Sequence, residues 1–83
     1  MMTLKLEFYD DDDFNKLIKK LKKDNLDYEI IGNKQDNTLN IYNLLQLSKA
    51  NINWNIYVEF SNKNGKTIYY DLRECNIANY SIF

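Results

Sequence analysis

Residues 3 to 9, TLKLEFY, alternate: Leu4, Leu6 and Phe8 fall on one side and Thr3, Lys5, Glu7 and Tyr9 on the other, the period of a half-buried β-strand. The period then changes. Phe14, Leu17, Ile18 and Leu21 recur at the i, i+3, i+4, i+7 spacing, which predicts an amphipathic helix with Lys16, Lys19, Lys20 and Lys23 almost opposite its apolar stripe at about 100° per residue. Alternation resumes in LDYEII, where Leu26, Tyr28 and Ile30 share a side. GNKQDN turns the chain, and TLNIYNL predicts the next strand, with Leu39 and Ile41 facing the core. LLQLSKAN fits neither period cleanly and reads as an irregular link.

INWNIYVEF and KTIYYDLREC alternate across Ile52, Trp54, Ile56, Val58 and Phe60, and across Ile68, Tyr70 and Leu72. A two-residue Asn64-Gly65 turn would put Asp71 opposite Val58, among core residues. A three-residue loop, Lys63-Asn64-Gly65 with the glycine left-handed, pairs Phe60 with Ile68, Val58 with Tyr70 and Ile56 with Leu72. A one-residue slip inverts every side chain, so burial selects the second register. Asn55, Tyr57, Glu59, Tyr69, Asp71 and Arg73 then share the opposite face. The tail NIANYSIF is part apolar and is a candidate edge strand.

The expected fold is α+β: a single domain over residues 1–83, in the order β-α-β-β-β-β, with one helix packed across an antiparallel sheet of four or five strands. One helix covers one side, so the second sheet face is left for solvent or a partner. The 14% aromatic content supplies large side chains for a small core, and Trp54, Phe60 and Tyr70 are assigned to it.

Charge changes this picture only locally. The net charge of -1 gives no global attraction to nucleic acid or anionic membrane. Yet FYDDDDFNKLIKKLKKDN sets the aspartates Asp10, Asp11, Asp12 and Asp13 ahead of a lysine cluster. One of Asp10, Asp11 or Asp12 is expected to cap the helix, and the others favour the positive end of its dipole. Asp12 and Lys16 have the favourable acid-first i,i+4 order. Four successive residues point in different directions, so no metal site is expected from the run. The lysine face either is solvated or tracks a phosphate backbone.

The chain has no histidine, the commonest general base and metal ligand. The serines Ser48, Ser61 and Ser81 therefore lack an imidazole, and Cys75 has neither an imidazole nor an evident cationic pocket beside it. Glu59 with Asp71, or Glu7 with Glu29, are the carboxylate pairs an enzyme would have to use, and nothing in their spacing makes them converge. No enzyme activity, cofactor or metal is expected. Cys75, the single cysteine, excludes an internal disulfide; together with a start that lacks a cationic leader and the absence of a long apolar run, it leads to an expected cytoplasmic location without membrane association.

Tyrosine, asparagine and arginine on one face match the chemistry of protein-binding surfaces. The expected function is therefore a small non-enzymatic inhibitor or regulator that docks on a larger protein, with a nucleic-acid-processing enzyme as the favoured target. An Asn-, Lys-, Ile- and Tyr-rich composition suggests an AT-rich genome. The most concrete form is accordingly a phage or mobile-element inhibitor of a host defence nuclease, of the anti-CRISPR kind. Its contacts would be Asn55, Tyr57, Glu59, Tyr69, Asp71 and Arg73, with Asp10 to Asp13 as a second, acidic patch. The alternatives are a nucleic-acid-binding module using Lys16, Lys19, Lys20 and Lys23, and a toxin-immunity protein. An exposed edge strand would also permit a homodimer.

Overall fold

The structure, a computed structural model, describes residues 2–50 and 55–83. Strand β1 (Met2–Phe8) leads into helix α1 (Asp11–Lys23), followed by β2 (Tyr28–Ile31), β3 (Thr38–Ala50), β4 (Asn55–Ser61), β5 (Thr67–Asp71) and β6 (Ile77–Ile82). Short 3-10 turns lie at Lys34–Asp36 and Leu72–Glu74. The domain is α+β, as the patterning predicts, and the C-terminal segment supplies a further strand.

The helix ends are fixed by local chemistry. Asp10 is the cap: its Oδ1 accepts the Asp13 backbone N–H at 2.8 Å, satisfying a donor that the first turn leaves open. At the other end Asn25 adopts a left-handed conformation (φ 59°). The Leu26 N–H then reaches the Leu21 carbonyl and the Asn25 N–H the Lys22 carbonyl, while Leu21 and Leu26 are both buried. This is a Schellman closure with its apolar contact. Phe14, Leu17 and Leu21 bury the helix's inner face, with Ile18 partly buried beside them.

The sheet is antiparallel, in the order β5-β4-β3-β1-β6, with β2 also paired to β3. β3 is its spine. One edge of β3 pairs with β1; the other pairs first with β2 through residues 38–41 and then with β4 through residues 44–50. The register slips along the way, once against β1 near Asn43, which has φ 64°, and once against β4 between Leu44 and Gln46. Each slip is a bulge that puts an extra residue in β3. Leu39, Ile41 and Leu44 are all buried and Leu47 packs against them, so the strand keeps its apolar residues inward although simple alternation is lost. The predicted irregular link over residues 44–51 is thus corrected: residues 44–50 continue the strand, and bulges produced the confusing spacing.

The β4–β5 hairpin has the register selected by burial. Phe60 lies opposite Ile68 and Val58 opposite Tyr70, and Gly65 is left-handed at φ 77° in the loop. Ile56 does not pair with Leu72, because Asp71 caps the 3-10 turn that takes Leu72 out of the strand. Asn62 locks this hairpin. It is only 8% exposed; its Oδ1 accepts the N–H groups of Asn64 and Lys66 at 2.9 Å each, and its Nδ2 donates to the Asp24 carbonyl at 3.0 Å. The Lys63 N–H also reaches the Asn25 carbonyl. The hairpin turn is thereby tied to the end of α1.

Leu4, Leu6, Phe8, Phe60 and Tyr70 join the helix residues in one continuous core. Trp54 and Ile52, also assigned to the core from sequence, lie outside the described residues. Tyr70 keeps its hydroxyl satisfied by donating to Asp24 Oδ2 at 2.6 Å.

Candidate functional site

Among the described residues the sheet face opposite α1 carries no helix. On it β3, β4 and β5 align two cross-strand rows: Gln46, Glu59 and Tyr69 form one, and Ser48, Tyr57 and Asp71 the other. Such rows follow from the strand period, because a residue and its cross-strand partner point to the same side. Gln46, Ser48, Tyr57, Glu59 and Tyr69 border a shallow depression of about 300 Å³. Tyr69 is 73% exposed and Tyr57 40%.

Arg73 completes the patch from the 3-10 turn after β5. Its guanidinium lies 5.3 Å from the centroid of the Tyr57 ring, within the range of a cation–π contact. The same guanidinium is fixed by Asp71, which accepts from Arg73 Nε at 2.6 Å, forms an ion pair with its Nη2, and accepts the Arg73 backbone N–H at 3.0 Å. The hydrogen bond from Arg73 holds the Asp71 carboxyl below its ordinary value, with smaller support from the charges of Arg73 and Lys20. A tyrosine ring, a guanidinium and a carboxylate are thus held in one arrangement.

Tyr57, Glu59, Tyr69, Asp71 and Arg73 are therefore brought together as the alternation predicts. Asn55 lies in β4, but its side chain is outside those described. Gln46 and Ser48 belong to the same face and are absent from the sequence expectation, because the spacing of residues 44–51 reads as a link. The leucine spacing that places Leu44 and Leu47 three apart was the available sign of a bulged strand.

The aspartate run divides. Asp10 caps the helix, and Asp13 Oδ2 accepts the Asn76 backbone N–H at 3.0 Å, pinning the helix start to the segment before β6. Asp11 and Asp12 remain exposed. The acidic patch is thus smaller than the sequence suggests, since half of the run has a structural task. Among the described residues no cluster of three or more Asp, Glu, Cys or His side chains could hold a metal ion.

Lys16, Lys19, Lys20 and Lys23 are exposed on α1. No ion pair joins Asp12 to Lys16 among the described residues; the two pairs found are Lys5 with Glu7 and Arg73 with Asp71. Lys16 and Lys20 also border a cleft of about 80 Å³ together with Tyr70, Asp71 and Cys75. Asp13 lines it too, so the two ammonium groups beside Cys75 are matched by two carboxylates. Helix α1 and Cys75 border one cleft, a neighbourhood that sequence spacing does not show.

Three of the four carboxylates considered for catalysis have separate partners. Glu29 Oε2 accepts from the Tyr42 hydroxyl at 3.3 Å, Glu7 pairs with Lys5, and Asp71 with Arg73. Among the described residues no helix is long and apolar enough to cross a membrane. No protein-family model, curated protein or solved structure matches the chain.

Proposed function

We propose that this protein is a small non-enzymatic inhibitor or regulator that docks on a larger protein through the open face of its sheet. The observation that carries the reading is the fixed trio of Tyr57, Arg73 and Asp71 beside the exposed Tyr69 ring. Tyrosine and arginine dominate protein-binding hot spots because rigid amphipathic groups supply contact area at low entropy cost. The guanidinium here is already oriented, so docking does not have to order it. Composition and size favour a phage or mobile-element origin, with a host defence nuclease of the CRISPR kind as the target. A cytoplasmic site of action accords with that role. The toxin-immunity alternative would use the same face in the same way.

The test is capture from the native host lysate with and without nuclease treatment, using the wild-type protein and a Tyr57→Ala, Tyr69→Ala double variant. A stoichiometric protein partner that survives nuclease and is lost with the double variant is expected. Undiminished capture by a folded double variant refutes the assignment of the face.

A second reading has its own observation. Lys16, Lys19, Lys20 and Lys23 stand exposed along one helix, with no ion pair to any of them among the described residues, which suits contact with a phosphate backbone. Nucleic acid binding that weakens steeply with salt and disappears when these lysines are replaced by glutamine would favour it over protein docking.

A further inference from the structure

We infer that the groove between α1 and the edge strand β2 receives an extended peptide segment of a partner protein, which adds to the sheet beside β2. This inference is independent of the open-face reading, because it concerns the other side of the molecule.

The first observation is backbone polarity. The Asp27 carbonyl accepts the Tyr42 N–H, and Tyr28 to Ile31 pair with β3 in continuous antiparallel register. Successive residues of such a ladder aim their N–H and C=O groups at alternate edges. Tyr28 and Ile30 therefore aim theirs away from β3, along an edge on which no strand pairs among the described residues. The second observation is the groove itself, about 590 Å³, where Phe14, Ile18 and Ile30 supply apolar surface. Ile30 is 41% exposed although it points to the helix side of the sheet. A strand laid on this edge would place alternate side chains over Ile18 and Ile30 while its backbone bonds to β2, which is how strand addition combines affinity with selectivity.

Charge selects the occupant and its direction. Asp11 stands at one end of the groove and Lys22 at the other, about 16 Å apart along the helix axis. An extended segment of about five residues covers that distance. The acidic end also holds Asn37, 8% exposed, on the lining of the groove, so the carboxylate of Asp11 is the acceptor an arriving donor meets there. β2 runs from the Lys22 end toward the Asp11 end. An added antiparallel strand therefore begins with a basic residue near Asp11, alternates apolar with small polar residues, and finishes with a carboxylate near Lys22.

The probe is a synthetic, N-acetylated peptide of arginine, threonine, valine, threonine, valine, threonine and aspartate, whose charged and apolar side chains share one face, titrated into the full chain and followed by amide chemical shifts. The expected result is shifts centred on Tyr28, Ile30 and the α1 residues facing them. Affinity should fall about tenfold or more for Ile30→Lys, provided that variant melts like the wild type. Lys22→Glu should weaken the same peptide and favour one ending in arginine instead of aspartate. Absence of shifts at about 1 mM peptide, the weak end of measurable affinity, would overturn the inference, as would shifts confined to other surfaces or unchanged binding by Ile30→Lys. Sedimentation of the protein alone covers the remaining occupant: a dimer abolished by Ile30→Lys would show that a second copy fills the edge, and would equally overturn it.

Discussion

Replacing Asn62 with alanine removes a side chain that serves three backbone groups at once. The variant loses the acceptor for the N–H groups of Asn64 and Lys66 and the donor to the Asp24 carbonyl. A net contribution of about 0.5–1.5 kcal/mol per hydrogen bond gives a range whose upper part applies only where lost partners stay dry. Asn62 is 8% exposed, but its partners lie near the surface, so water recovers part of the loss. The expected destabilisation is about 2–4 kcal/mol, a melting-temperature drop of roughly 10–25 °C for a domain this size. Urea unfolding followed by circular dichroism measures it, with Asn64→Ala as the control. That control loses one exposed side-chain bond from Asn25 Nδ2 and should cost less than about 0.5 kcal/mol. Asn62→Asp, which keeps the two acceptor interactions and loses the donor, should fall between. If Asn62→Ala unfolds within about 0.5 kcal/mol of the wild type, the hairpin is not held to the helix by this residue.

Tyr70→Phe should cost about 1–2 kcal/mol by deleting the hydroxyl that donates to Asp24. Burial, with the Asp24 hydrogen bond and charge, raises the Tyr70 pKa above its ordinary 10.0. The folded state therefore keeps a proton that the unfolded chain gives up, and wild-type stability should fall faster than that of Tyr70→Phe as pH rises past 10.0; parallel profiles would contradict this. Asp71 shifts the opposite way, so its carboxyl titration by NMR should lie below 3.8 and return toward that value in Arg73→Ala. The stabilisation linked to that shift is present above 3.8 and is lost as pH falls through the folded value. Leu17→Asp, at a position 2% exposed, should abolish cooperative thermal melting by placing a carboxylate in the core; a transition near the wild-type temperature would contradict the helix packing.

Much of the fold is written in periodicity. β1 and α1 could be read because Leu4, Leu6 and Phe8 keep the strand period and Phe14, Leu17 and Leu21 the helical one, and all of them are buried. The hairpin register followed from a choice between burying Tyr70 and burying Asp71. The open face was then obtained as the other half of that alternation, which is why Tyr57, Glu59, Tyr69 and Asp71 were placed on it without a structure. What failed to show depended on contacts distant in sequence or on broken periods. Asp13 meets Asn76 across 63 positions, Lys16 and Lys20 come to border one cleft with Cys75 only through the docking of α1, and the β3 bulges disguise the strand that presents Gln46 and Ser48.

Those bulges have a consequence for how the chain tolerates insertion and deletion. A strand alternates with a period of two residues, and β3 contains two single-residue slips. Each slip inverts the phase and together they restore it: Leu39 and Ile41 in the first half and Leu47 in the second all occupy odd positions, whereas Leu44 between them is even. Loss of the extra residue at either slip would restore plain alternation there and leave Leu47 inward and Ser48 outward, whereas loss of a residue from the regular stretches with both slips kept would turn the strand beyond it inside out. Loss of the extra residue from both slips would keep Leu47 inward and sacrifice only the bend that lets a single strand serve β2 and then β4. The strand behaves as a frame with two points of single-residue slack, so its tolerance of length change depends on whether the change falls at a slip or between them.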